Sequence, residues 1–270
     1  MTKRTLSIAG VDPSGGAGVL ADIKTMSALG TYACGVITAL TAQSTQGVTG
    51  VMPVTPDFIR LQLKTLFDDV QIDGIKLGML GESPVIEAVA DELSAHKGHN
   101  HCILDPVMVA KGGDHLLPMS AISTLIEALI PQTSMITPNL PEAAILAEQS
   151  APETIKQMYP LAEKLHKLFN RTDERWVLLK GGHLPGDELV DLLFNGDKMI
   201  ELPNPRVHTK NTHGTGCTYS AAICALATRD NDIVRATHDA KEYLLKAIER
   251  SDQMGVGSGH GPLHHFHQWW

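Results

Sequence analysis

Residues 5–30, TLSIAGVDPSGGAGVLADIKTMSALG, decide the fold. The opening TLSIAGV is short and apolar, and it stops at Asp12-Pro13. That reads as a buried strand meeting a turn. The glycine-rich DPSGGAG follows, and VLADIKTMSALG then spaces its apolar residues as a helix does, with Gly30 as the stop. Strand, glycine turn and helix in that order begin a βαβ unit. YACGVITALTAQ (32–43) supplies the next buried strand.

The alternation continues outward along the chain. PDFIRLQLKTLFDD (56–69) is an amphipathic helix opening on Pro56, and IDGIKLGML (72–80) is a strand running into a glycine turn. SPVIEAVADELSAH (83–96) is a helix with Ser83 as cap and Pro84 at its first position. HCILDPVM (101–108) is a strand, PMSAISTLIEALI (118–130) a helix, SMITPN (134–139) a strand and PEAAILAE (141–148) a short helix. A helical pattern over 152–170 breaks near Pro160, and WVLLKGG (176–182) is again a strand. ELVDLLFNGDKMIELP (188–203) forms a hairpin about Asn195-Gly196, and residues 232–251 form a long closing helix. Such a chain folds as α/β: a mostly parallel sheet covered by helices on both faces, in one domain over 1–270. The composition of residues 256–270, ending GSGHGPLHHFHQWW, leaves that tail as a candidate flexible segment. Its HHFHQWW resembles a metal-binding tag by composition, but nothing elsewhere fixes a ligand geometry.

Bulk properties narrow the function. A formal net charge of −8 argues against a duplex nucleic-acid binder or a protein that coats anionic membranes. The four cysteines lie far apart with no CxxC pair, against a zinc knuckle or a disulfide scaffold. The N-terminal apolar run is too short for a signal peptide, and no run of 18 apolar residues predicts a membrane span. The expected location is a reducing cytoplasm.

In sheets of this kind ligands sit at the carboxyl ends of the strands, where Asp12, Gln43, Met79, Asp105, Asn139 and Lys180 fall. The second organising stretch is HGTGCTYSAA (213–222), in which Gly214, Thr215 and Gly216 precede a small-residue helix. A helix N-terminus with bare N–H groups binds anions, and its field would favour the thiolate of Cys217. Gly16-Ala17-Gly18-Val19-Leu20-Ala21 fits a GxGxxA dinucleotide fingerprint, but the ribose-binding acid expected about twenty positions on is missing from VITALTA. GxxxxGK[ST] and the protein-kinase triplets are absent, so any phosphoryl transfer uses another architecture. Taken singly, Asp105 is a turn cap or a ligand, Asn139 is a cap for the helix at Pro141-Glu142 or a ligand, and Lys180 is a surface lysine or a phosphate contact. Asp105, Asn139 and Glu142 together could hold hydrated Mg²⁺. Gln43 is a solvent-facing strand end or, through its paired donor and acceptor, a partner for a heteroaromatic ring.

The motifs IAGVDPSGGAG, TALTAQST, KLGML, LDPVMVAKGGD, TPNLPEA, LLKGGH and HGTGCTYSAA, in this order, resemble the hydroxymethylpyrimidine/phosphomethylpyrimidine kinases of thiamine biosynthesis. These belong to the ribokinase-like superfamily, and the resemblance spans roughly residues 5–260. It implies a three-layer α/β/α sandwich. It also implies two ATP-dependent phosphorylations, of 4-amino-5-hydroxymethyl-2-methylpyrimidine and then of its monophosphate. Carried over by position, Gly214, Thr215 and Gly216 form the anion hole, and Cys217 stands where many superfamily members place an aspartate base. Asp105 and Glu142 match the Mg²⁺-organising acids. Asn139, Glu142, Lys180 and His213 match the nucleotide side, with Lys180 also reaching the transferring phosphate. Gln43 matches the pyrimidine partner, with Asp12, Gly16, Ala17, Met79 and Val107 around the ring. The superfamily adds a monovalent cation such as K⁺ as a second ion and a homodimer as the common assembly.

The nearest alternative is a class of pyridoxal kinases that also carries GTGC. Its members place a second cysteine in the lid loop, where this chain reads Val109-Ala110-Lys111-Gly112-Gly113-Asp114 with none. Residues 111–114 are glycine-rich and are expected to act as a mobile lid. Two further alternatives are a non-catalytic pyrimidine-binding sensor and a sugar or nucleoside kinase. Asp105, Glu142, Lys180 and Cys217 speak against the first. Gln43 and the lack of a polar cluster suited to a polyol speak against the second.

Overall fold

A computed structural model describes residues 1–96, 98–108 and 117–270. The expected lid at 111–114 lies outside the described residues. The sheet is built from β1 (Arg4–Val11), β2 (Tyr32–Ser44), β3 (Gly47–Pro53), β4 (Gly74–Leu77), β5 (His101–Leu104), β6 (Met135–Ile136), β7 (Trp176–Leu179), β8 (Glu188–Phe194) and β9 (Met199–Pro205). Their order is β3-β2-β1-β4-β5-β6-β7-β8-β9. The six central strands are parallel, and β3, β8 and β9 are antiparallel additions at the edges. The α/β architecture is therefore as the alternation predicts. The strand β3, unassigned in the sequence reading, is mostly exposed, so it lacks the apolar pattern that marks a strand.

Helices cover both faces. On one face lie α2 (Pro56–Asp69), α3 (Ser83–Ala95), α5 (Leu140–Leu146) and α6 (Ile155–His166), and on the other α1 (Gly18–Ala28), α7 (Thr215–Asp230) and α8 (Ile233–Glu249). The strands sort their side chains by the two-residue period of the pleat. Cys102 and Leu104 join the core under α2 and α3, whereas Ile103 joins the core under α7. Ile75 and Leu77 likewise join the first core, which leaves Lys76 facing α1 and α7. Helix α7 is buried from Thr218 to Thr228 and packs close to the sheet: a side chain at Gly74 of β4 would meet Thr228 Oγ1 at 1.9 Å.

Three local expectations need correction. The stretch 118–130 is not one helix; it is a chain of short turns that includes α4 (Ile122–Thr124) and a π-helical turn at Leu125–Leu129. Pro160 does not break its helix, because α6 runs through it from Ile155 to His166. Pro160 lies in the second turn, where its missing N–H leaves only one early ladder bond unmade. Ser83 is the first residue of α3 rather than its cap, and its hydroxyl accepts from Thr124 Oγ1 at 3.0 Å.

The tail is packed despite its composition. Leu263, His264, His265 and His267 are all buried. Gly259 and His260 donate backbone N–H groups to Thr45, and Gly261 accepts from the His213 N–H at 3.1 Å. His265 Nε2 lies 3.1 Å from Thr218 Oγ1 of α7, and Tyr243 of α8 donates its hydroxyl to the His265 carbonyl. Among the described residues, no group of three metal-ligating side chains forms there or elsewhere.

Burial, with Lys24 and neighbouring histidines nearby, pushes His265 from 6.5 down to about 3. The unfolded chain therefore binds the proton that the folded chain refuses. The stability this represents is full above about pH 6.5 and is lost as pH falls toward about 3. It is worth up to about 5 kcal/mol. Urea melts at pH 7, 5.5 and 4 are expected to show a smaller loss of stability on acidification for His265→Gln than for the parent. Identical pH dependence would contradict the assignment.

Candidate active site

The carboxyl ends of the six parallel strands open into a cavity of about 530 Å³. Asp12, Ala17, Gln43, Met79, Asp105, Val107, Asn139, Glu142, Lys180, His213, Gly214, Thr215, Gly216 and Cys217 all line it. Such a volume suits a small-molecule site. Gly16 does not line the cavity. It lies beneath His213, where a side chain would meet the imidazole at 2.3 Å.

Two glycine loops build the wall beside α7. Gly214 caps the helix with φ of 79°, and a Cβ there would sit 1.7 Å from the Gly16 carbonyl oxygen. Only glycine meets both conditions. Asp12 organises this contact. Its carboxylate accepts from the Ser14 N–H (2.9 Å), the Ser14 hydroxyl (2.8 Å), the Ala17 N–H (3.0 Å) and His213 Nε2 (2.7 Å). Burial would raise its pKa, but the bonds from His213 and Ser14 hold it below the usual carboxylate value. Asp12 thus serves the wall itself. His213, read by position with the nucleotide side, pairs with Asp12 and lies 3.4 Å from the Gln43 amide. The β2–β3 register shifts between Ala42 and Gln43, a local irregularity of the kind that re-aims a side chain.

The opposite wall is polar and charged. Lys180 Nζ donates to Asp105 Oδ1 at 2.8 Å, and Thr137 Oγ1 donates to the same oxygen at 3.1 Å. A side chain at Gly216 would lie 3.3 Å from both Lys180 Nζ and Asp105 Oδ2, so the helix N-terminus faces this pair directly. Asn139 does cap α5. Its Oδ1 accepts from the Glu142 N–H at 2.9 Å, and Glu142 Oε2 accepts from the Asn139 N–H at 2.8 Å. The capping reading is the one observed, and the same box leaves both Asn139 and Glu142 lining the cavity.

The electrostatics correct one expectation. Cys217 is not a ready thiolate: burial pushes its thiol up to about 11, against the opposing charge of Lys76. The Gly18 N–H, from the first glycine loop, also favours the thiolate but does not offset the burial. Burial also raises Glu142 to about 7, with Lys180 opposing and Asp105 reinforcing the rise. Asp105 stays below the usual carboxylate value, because Lys180 and Lys76 outweigh its burial.

Lys76 and its partner Asp22 were absent from the expected site. Lys76 lines the cavity floor yet has no exposure, and its Nζ lies 2.8 Å from Asp22 Oδ2. The sequence signal was a lysine at an alternate position of an otherwise apolar strand, GIKL.

A profile described as phosphomethylpyrimidine kinase matches residues 12–264. A hydroxymethylpyrimidine/phosphomethylpyrimidine kinase of Escherichia coli (strain K12) is 48% identical over 265 residues, covering 98% of both chains. Among solved structures, pyridoxal kinase from Staphylococcus aureus in complex with ADP superimposes with a TM-score of 0.89 at 31% identity, over 100% of this chain and 95% of that one. Phosphomethylpyrimidine kinase from Clostridium difficile 630 gives 0.79 at 35% identity, over 92% and 100%.

A carboxyl raised to about 7 destabilises the ligand-free fold as pH rises through that value, and it costs nothing below about 4.5. Glu142→Gln keeps an oxygen for the Asn139 N–H. It is expected to stabilise the ligand-free protein by about 1–3 kcal/mol at pH 8 and by nearly nothing at pH 4.5. Thermal melts at the two pH values read this directly; a destabilisation at pH 8 would refute it.

Proposed function

The chain belongs to the phosphomethylpyrimidine kinase family, and from that premise we propose that its cavity performs two transfers. The γ-phosphoryl group of ATP passes to the hydroxymethyl group of 4-amino-5-hydroxymethyl-2-methylpyrimidine. A second ATP then phosphorylates the resulting monophosphate. The observation that carries this reading is the shared cavity, in which a ring partner (Gln43), a helix N-terminus (Gly214, Thr215, Gly216) and a lysine (Lys180) face one another.

Gln43 offers the ring a donor and an acceptor in one plane, with Ala17, Met79 and Val107 beside it. The N–H groups at the start of α7 face the γ-phosphate and steady its developing charge, a contribution of about 10²–10³ in rate for one such donor. Lys180 bridges toward the same phosphate. Asp105 and Glu142 fit Mg²⁺: Glu142 is a buried carboxyl left without a full counter-charge, and Mg²⁺ takes one or two carboxylates with phosphate oxygens and water. When bound, the ion neutralises phosphate charge. Asn139 holds the Glu142 carboxyl in place for it.

Cys217 acts as the base in its thiolate form, a small fraction at neutral pH with the thiol at about 11; once its own proton has left to solvent, the sulfur takes the hydroxymethyl proton late, as the O–P bond forms. The monophosphate needs no base, since its acceptor oxygen is already ionised. A pyridoxal kinase reading draws on the same fold, shared at TM-scores of 0.79–0.89 by both classes of kinase. The sequence relative at 48% identity favours the pyrimidine.

The homodimer expected for this superfamily finds support in the β2–β3 edge. Leu40, Val51 and Met52 stand 42%, 52% and 62% exposed there. The parent is expected to sediment as a dimer and Val51→Lys/Met52→Lys as a monomer; a monomeric parent would remove this edge from consideration.

Cys217→Ala is expected to slow phosphorylation of the alcohol by about 10²–10⁴ and that of the monophosphate by less than about tenfold. For the parent, log kcat on the alcohol should climb with pH from 6 to 9, as the thiolate fraction grows toward a pKa of about 11, while the monophosphate reaction stays flat. Equal losses on both acceptors would make Cys217 a packing residue. ATP turnover with the alcohol, its monophosphate, pyridoxal and pyridoxine, with products resolved by mass, tests the substrate class.

A further inference from the structure

The transfer described above leaves Lys76 and Asp22 without a role. Both are fully buried, and they lie 2.8 Å apart. Ser7 of β1 donates its hydroxyl to the same Asp22 oxygen at 2.6 Å. Ser7 and Lys76 sit on neighbouring strands, directly paired in register, and each lies between two residues of the opposite core. The pleat therefore sends both under α7, whose third residue is Cys217.

The ammonium is held in a shaped space. A side chain at Gly78 would come within 2.8 Å of Lys76 Nζ and 2.9 Å of the Ala9 methyl group. Lys76 opens onto the cavity beside Gly216, Cys217 and Asp105.

The pair is poorly built as a stabilising device. Asp22 Oδ1 is buried with no hydrogen-bond partner among the described residues. A buried ion pair repays its desolvation only when the remaining lone pairs are satisfied, and packed apolar residues often hold a fold as well. Its cost points to another use.

We propose that Lys76, pinned by Asp22, is a positioning residue that supplies the fixed counter-charge for the Cys217 sulfur during the first phosphorylation. This rests on the kinase reading above. The thiol proton leaves to solvent. The sulfur then takes the hydroxyl proton as the new O–P bond forms and the bond to the β-phosphate oxygen breaks, releasing ADP. Lys76 keeps its protons throughout, since Asp22, Cys217 and Asp105 favour its charged form against burial. Its field falls on an anion that exists at this sulfur only when Cys217 is the base. The second phosphorylation, which needs no base, depends on it less.

The test is the neutral pair Asp22→Asn/Lys76→Met, which removes both charges and keeps a partner for Ser7. Three measurements are made on the full chain: melting temperature, kcat and KM on both acceptors, and the rate at which iodoacetamide alkylates Cys217 at pH 8 without substrate. Expected are a folded protein, KM values within about threefold, kcat on the alcohol lower by about 10²-fold and kcat on the monophosphate lower by less than about tenfold. Alkylation of Cys217 should slow by about tenfold or more. Unchanged alkylation, or equal kcat losses on both acceptors, overturns the proposal. If this pair does not fold, Asp22→Leu/Lys76→Met asks the same question with apolar packing, and failure of both to fold makes the ion pair structural and overturns it too. The alkylation rate needs no turnover. A parent that phosphorylated neither compound would defeat the kinase reading while leaving the Lys76–Cys217 coupling to be judged separately.

Discussion

The site depends on one close approach, that of the backbone at Gly16 to the backbone at Gly214. A Cβ on Gly214 would lie 1.7 Å from the Gly16 carbonyl oxygen, so the two loops touch without side chains between them. The first loop follows β1 and the second opens α7, about two hundred residues later in the chain. The Asp12–His213 bond at 2.7 Å closes the junction. The docked tail backs it, through the Gly261 carbonyl and the His265–Thr218 contact. The helix N-terminus is thereby fixed relative to the strand ends before any ligand arrives. Preorganisation of this kind is what gives oriented N–H donors their value, because they need not reorganise as charge develops.

Charge balance is the second constraint. Beside the Asp12–His213 pair, three buried carboxyls, Asp22, Asp105 and Glu142, meet two lysines, the fully buried Lys76 and the partly exposed Lys180. Asp22 takes Lys76 and Asp105 takes Lys180, each at 2.8 Å. Glu142 is the carboxyl left over, and it is the one raised to about 7. Of the three, Glu142 is thus the one without a lysine of its own, which is the observation behind the Mg²⁺ proposal.

Much of this was legible in the sequence. The β/α alternation gave the parallel sheet, and the rule that ligands gather at strand carboxyl ends placed Asp12, Gln43, Asp105, Asn139 and Lys180 around one cavity. What escaped has physical reasons. The strand β3 is exposed on most of its length, so no apolar period announces it. The tail reads as loose because its glycines and histidines are usually exposed types, yet its hydrogen bonds are made to distant segments that a local reading does not reach. Cys217 misled for the same reason: a helix N-terminus favours the thiolate, but desolvation by the surrounding core is the larger effect and is set by tertiary packing.

Lys76 shows how the missing part could have been found. In GIKL a lysine stands between residues that both belong to one core, so the pleat must bury it in the other. A buried lysine requires a carboxylate, and the helix covering that face carries one at Asp22. The inference needs only the strand period, the sheet order and the cost of an unpaired buried charge. It fails from sequence alone at one step, because the identity of the covering helix follows from the topology. Once β1 and β4 are known to be neighbours under α1 and α7, Ser7, Asp22, Lys76 and Cys217 are brought to one place. Polar residues out of pattern on adjacent strands are then the mark of a site built into the core of the sheet, behind the loops where ligands are usually sought.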